Sequence, residues 1–183
     1  MRSVCVFAGA SHGKRHDYHH ATAELGALLA RHGCRLVYGG GAVGAMRTVF
    51  EAVTEAGGSA TGVIPRELAE HPEHGELAES RLKDLRLTDG MHARKALMAQ
   101  LSDAVIAVPG GLGTLEEFTE ICTWTQLGFQ TTPAALLNTA GYFDGLNTQL
   151  DRAVEDGFLD ATTRKAIIVE RDPVVLMERL NAS

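Results

Sequence analysis

Three places where a short apolar run meets a glycine-rich turn and then a helical pattern constrain this chain more than any other feature. They are FAGAS (residues 7–11), YGGGAVG (38–44) and PGGLGT (109–114). The run before the third, AVIAV (104–108), is apolar throughout, as expected of a strand buried on both faces of a parallel sheet. Strand-like runs fall at 3–8, 35–38, 60–64, 85–87, 104–108, 134–137 and 166–169. Between them, Tyr18, Ala21, Leu25, Leu28 and Leu29 recur at helical spacing, and helices are expected at 44–56, 91–101, from Thr114, at 143–156 and after Pro173. The polar stretch 66–80 reads as a short helix and a loop. This alternation predicts an α/β fold, a doubly wound parallel sheet with helices on both faces, in a single domain over residues 1–183. All three glycine turns then open at the carboxyl edge of the sheet, where such folds bind ligands.

The third turn places backbone N–H groups at a helix N-terminus, which suits a phosphate. Gly110, Gly111 and Gly113 suggest a backbone that a ligand approaches closely, and two acids, Glu116 and Glu117, follow at once. Thr114 and Glu117 also fit a capping box, which would satisfy helix donors without any ligand. The second turn matches GxGxxG through Gly39, Gly41 and Gly44. A dinucleotide site wants an acid at the end of the next strand, but here Ile64-Pro65-Arg66 stand there, so a mononucleotide or another small phosphoester fits better. Ser11, Gly40 and Gly41 are further candidates for phosphate contact.

Arg94 shares a helical stripe with Met91, Met98 and Leu101. An arginine there either binds an anion or carries its head to the domain edge or a structural carboxylate. Lys95 adds a second donor to a phosphate or is a solvated lysine, and His92 reads as structural. With seventeen Lys and Arg against twenty-three Asp and Glu, a net charge of −6 argues against nucleic acid as a partner. Any anionic ligand must be held by local donors. Cys5, Cys34 and Cys122 form no disulfide or zinc spacing, which suggests a reducing compartment. HDYHH (16–20), His71 and His74 read as solvated, and no metal is expected. The N-terminal apolar stretch is too short for a signal peptide, and no run approaches the roughly 20 residues that span a bilayer. A cytoplasmic protein without membrane contact is the expectation.

MHARKALM (91–98) followed by PGGLGTLEEFTEICTW (109–124) resembles the paired signature MHxRK and PGGxGTxxE of the LONELY GUY (LOG) family. The likeness extends through FAGAS, YGGG, LLNTAGYFDGL (136–146) and EDGFL (155–159), so it covers most of the chain. It implies a Rossmann-like homodimer that hydrolyses the N-glycosidic bond of cytokinin riboside 5′-monophosphates to free base and ribose 5-phosphate, in many members also of AMP. It needs no cofactor. By the resemblance, Arg94 and Glu117 are the catalytic pair, and Lys95, Gly111, Leu112, Gly113, Thr114, Leu115 and Glu116 line the nucleotide site. Weaker local patterns add Glu76 and Thr123. Where the family often has GGGSVGLMG, this chain has Ala42 for the serine and Arg47 for the last glycine.

The chemistry asks for such groups. Breaking the bond from C1′ to the purine leaves positive charge on the ribose, which a carboxylate stabilises, and negative charge on the base. Two other classes compete. One is a non-catalytic nucleotide or molybdenum-cofactor carrier of the same fold, since a glycine cradle alone implies binding only. The other is the lysine decarboxylase label attached to relatives of this family. That enzyme would use pyridoxal phosphate on a lysine, and none of Lys14, Lys83, Lys95 and Lys165 has a convincing Schiff-base context.

Overall fold

The structure, a computed structural model, describes residues 1–70 and 78–182. Seven strands form one parallel sheet: β1 (Ser3–Phe7), β2 (Arg35–Tyr38), β3 (Ala60–Pro65), β4 (Asp84–Thr88), β5 (Ala104–Ala107), β6 (Ala134–Leu137) and β7 (Ile167–Glu170), in the order β4-β3-β2-β1-β5-β6-β7. Val4 is in register with Leu36 on one side and Ala104 on the other. The chain builds outward from β1 to β4, then returns to the far side of β1 with β5.

Alternation along β1 divides the core. Val4 and Val6 pack toward α1 (His16–Arg31), α2 (Gly44–Glu55) and α8 (Pro173–Ala182). Cys5 and Phe7 pack toward α4 (Met91–Gln100), α5 (Leu112–Gln126) and α6 (Asp144–Glu155). The helices therefore cover both faces, as the alternating pattern requires. The central strands are apolar on both sides because both sides are buried. The edge strand β4 leaves Arg86 and Leu87 exposed. The start of β1 is fixed by Asp103, whose carboxylate accepts from the backbone N–H groups of Arg2 at 2.6 Å and Ser3 at 2.9 Å.

Two elements differ from expectation, and a third, the short helix after β3, stands where it was expected. Helix α5 starts at Leu112, two residues before Thr114. A short helix, α7 (Ala161–Ala166), precedes β7, so Ala166 ends a helix instead of opening a strand. Its cap is local: Asp160 accepts from the Thr163 N–H at 3.1 Å. The polar stretch after β3 opens with α3 (Arg66–Glu70), and His71, His74 and Glu76 lie outside the described residues.

Candidate active site

The strand order reverses between the parallel neighbours β1 and β5, and the loops leaving their carboxyl ends diverge to open a cleft of about 600 Å³. The first turn supplies Ser11, His12 and Gly13 to its wall, the second Gly39, and the third Pro109, Gly110 and Gly111. Gly44 lets the first two turns meet. It adopts φ +54, and a Cβ there would fall 2.2 Å from the Ala10 carbonyl carbon.

Arg94 enters the cleft from α4 and is only 2 % exposed. Its Nε donates to the Val63 carbonyl at 3.1 Å and its Nη2 to the Gly39 carbonyl at 3.1 Å. Gly39 makes this possible, because a Cβ would lie 2.2 Å from Nη2 and 2.8 Å from the Met46 sulfur. The guanidinium is thus a fixed positive charge, anchored on the ends of two strands. Glu117, on α5, lines the same cleft and is 9 % exposed. Both charges reach Cys5, beneath them on β1. Its thiol is held well above the usual range, first by burial and then by the Glu117 carboxylate, with Arg94 opposing.

The capping box does not form. Gly111 caps α5 without a side-chain hydrogen bond, which places Thr114 inside the first turn and Glu117 a turn further on. Thr114 is 3 % exposed and its hydroxyl oxygen has no hydrogen-bond partner. That hydroxyl sits against the glycine turn, since a Cβ at Gly110 would lie 2.2 Å from it. A buried polar group without a partner at a helix N-terminus is placed to meet an anion.

Of the residues singled out in the sequence, the cleft brings together Ser11, Arg94, Gly110, Gly111, Gly113, Thr114 and Glu117. Others lie elsewhere in this chain. Gly40 and Gly41 sit behind the wall: Gly40 packs on Gly62 and accepts from the Glu79 N–H at 2.9 Å, while Gly41 bridges Ala78. Lys95 is buried between α4 and α5, where it donates to Glu116 and pairs with Glu120 at 3.0 Å. Burial pulls its pKa down, but the two carboxylates outweigh burial and the net shift is upward. Leu112 is 86 % exposed, and Leu115 packs against the core. Thr123 is exposed and donates to the Thr119 carbonyl at 2.8 Å. Glu76 lies outside the described residues.

Sequence reading missed Tyr142 and Tyr18, which form an aromatic wall beside the glycine turn. Tyr18 looked like one more member of an amphipathic stripe. For Tyr142 the available signal was its position just after a strand, at the same carboxyl edge as the glycine turns.

A larger cavity, about 980 Å³, opens at the opposite edge of the sheet, among Arg2, Asp103, Cys122, Thr125 and Thr163. It contains none of the glycine turns and, among the described residues, no buried side-chain polar atom without a partner. The smaller cleft, which holds the glycine turns and the buried charges, is therefore the candidate site. No group of three or more His, Cys, Asp or Glu among the described residues is placed to hold a metal ion. No described helix is long and apolar enough to cross a membrane.

Residues 46–180 match the family model described as "Possible lysine decarboxylase". A probable cytokinin riboside 5′-monophosphate phosphoribohydrolase of Oryza sativa subsp. japonica is 45 % identical over 180 residues, which cover 98 % of this chain and 72 % of that protein. A cytokinin riboside 5′-monophosphate phosphoribohydrolase of Arabidopsis thaliana is 42 % identical over 180 residues, 98 % of this chain and 82 % of the relative. Among solved structures, the molybdenum cofactor carrier protein of Chlamydomonas reinhardtii superposes with a TM-score of 0.70 at 23 % identity, covering 100 % of this chain and 99 % of that one. At that identity the likeness establishes the Rossmann-like fold alone. Sequence identity near 45 % over almost the whole chain goes further, and the chain belongs to the LOG family.

Proposed function

We propose that this protein is a phosphoribohydrolase that cleaves the N-glycosidic bond of adenosine 5′-monophosphates, N6-prenylated or plain, to free base and ribose 5-phosphate. One observation carries the reading: a buried carboxylate and a buried guanidinium line the same cleft as a helix N-terminus with an unpartnered hydroxyl. The phosphate is taken by the N–H groups of the Gly110–Gly113 turn and the Thr114 hydroxyl. Its binding energy holds C1′ near Glu117. As the bond from C1′ to the purine lengthens, its electron pair moves to the base and positive charge grows on the ribose. Glu117 stabilises that charge and takes the proton of the water whose oxygen bonds to C1′. Arg94 balances the charge that develops on the leaving base; solvent water supplies the proton that the departing base takes up at nitrogen, and Glu117 returns to solvent the proton it took from the attacking water.

The decarboxylase label fits the described residues poorly. A Schiff base needs a neutral lysine amine in the cleft, whereas no described lysine lines it and Lys95 is held as an ammonium by Glu116 and Glu120.

The test is chromatographic product analysis with AMP, isopentenyladenosine 5′-monophosphate and adenosine. Base plus ribose 5-phosphate from the monophosphates, with adenosine turned over far more slowly, is the expected result. Binding without base release would favour a carrier of the same fold. The proposal extends to a homodimer. Apolar Met91 and Leu112, the first residues of α4 and α5, stand exposed where those helices start and give a second copy a surface to cover. Light scattering in solution should give twice the chain mass, and a monomer at micromolar concentration would remove this part of the proposal.

A further inference from the structure

Tyr142 is held over the third glycine turn by a loop built for the purpose. At the end of β6, buried Asn138 accepts from the Phe143 N–H at 2.6 Å and donates to Asp144 at 2.7 Å. Between them, Ala140 adopts φ 53, the only non-glycine residue with positive φ among the described residues, and Gly141 follows at φ 75. A left-handed alanine is costly and persists only where its surroundings enforce it. Phe143, 1 % exposed, anchors the loop in the core, so the preceding residue must project toward the cleft. There the Tyr142 ring meets the edge of Tyr18 at 5.4 Å, and its hydroxyl donates to the Gly110 carbonyl.

The peptide that Tyr142 grips joins two glycines. Without a Cβ on either side, rotation of that peptide plane meets little steric resistance. Across a trans peptide the carbonyl of Gly110 and the N–H of Gly111 point in opposite directions, so holding one sets the other. In one orientation the Gly111 N–H joins the donors at the start of α5; in the reverse, a carbonyl dipole would face a bound anion. The unpartnered Thr114 hydroxyl on the same turn independently marks this spot as a place for a polar ligand.

We infer that Tyr142 is the positioning residue of the phosphate cradle: its hydroxyl locks the Gly110–Gly111 peptide with the N–H toward the substrate phosphate. The inference rests on the proposed phosphoribohydrolase reading. It assigns Tyr142 to ground-state binding of the phosphate, not to bond cleavage at C1′.

Tyr142→Phe keeps the ring and its contact with Tyr18 and removes only the hydroxyl. Ribose 5-phosphate, titrated calorimetrically, should bind the variant about tenfold more weakly, the size of one hydrogen bond lost plus a mis-set dipole. KM for AMP should rise by a similar factor while kcat stays within about threefold. Affinity for ribose 5-phosphate within twofold of wild type would overturn the inference, as would a loss carried wholly by kcat. Failure of the underlying reading shows separately and needs no variant: wild-type protein would then release no base from AMP, whether or not it binds ribose 5-phosphate.

Discussion

Glu117→Gln separates a catalytic role for that carboxylate from a structural one. The substitution preserves the volume of the side chain and one acceptor oxygen but removes the negative charge, and Glu117 stands a turn inside α5, away from its N-cap Gly111. Turnover of AMP should fall by a factor on the order of a thousand, while the melting temperature moves by no more than a few degrees. A variant that keeps a tenth of wild-type activity would refute the assignment. Arg94 offers no such clean experiment. Its guanidinium satisfies the carbonyls of Val63 and Gly39 in a buried setting, so truncation leaves two acceptors unpaired at about 1 to 3 kcal/mol each. Activity lost in Arg94→Ala mixes chemistry with folding, and lysine cannot reproduce the two-carbonyl geometry.

The turn after β2 shows how an element can serve a charge it does not carry. Gly39 is the residue that lets α4 deliver Arg94 onto the strand ends, and Gly39→Ala would push a methyl group to within 2.2 Å of Nη2. The guanidinium must move, so activity should drop more than tenfold, with a stability cost of about 1 to 3 kcal/mol from overpacking. Full activity in Gly39→Ala would mean that Arg94 tolerates displacement and is not a preorganised group. The same turn marks the limit of what the chain discloses before it folds. GxGxxG identified a strand–turn–helix junction, yet the pattern is shared by dinucleotide sites. Only packing reveals that its first glycine makes room for an arginine, while Gly40 and Gly41 brace the wall from behind. The strands were legible because both faces of a parallel sheet demand apolar runs, and Arg94 because it interrupts an apolar stripe. Helix α7 was not, since six polar and small residues capped by Asp160 carry no periodic signal. The placement of Lys95 against Glu116 and Glu120 was equally hidden: it depends on α4 and α5 lying side by side on one face of the sheet.

At the scale of the whole molecule, three carboxylates, two of which tie distant segments together, set how the fold responds to acid. Asp103 is held below its ordinary value of 3.8, first by the Arg2 and then by the Ser3 N–H, and so joins the start of β1 to the approach to β5. Glu79 is held below 4.5 chiefly by its hydrogen bond from Arg81, and Asp84 below 3.8 by the Thr61 hydroxyl that links β3 to β4. In each case the unfolded chain takes up protons at a higher pH than the folded chain. Their contribution is therefore complete above the ordinary carboxylate range and is lost as pH falls through the lower folded values. Thermal unfolding should show no pH dependence from these groups between pH 5 and 8, and a steep loss of stability below about pH 4. Asp103→Asn isolates one of them, because the amide oxygen still accepts a hydrogen bond but carries no charge. The variant should melt below wild type at pH 7, and the gap should narrow as the pH falls below 3.8, where the unfolded wild-type chain takes up a proton that the folded carboxylate still resists. A gap of constant size across that range would show that Asp103 secures β1 through shape and neutral hydrogen bonding alone, and that the acid response of the fold originates elsewhere.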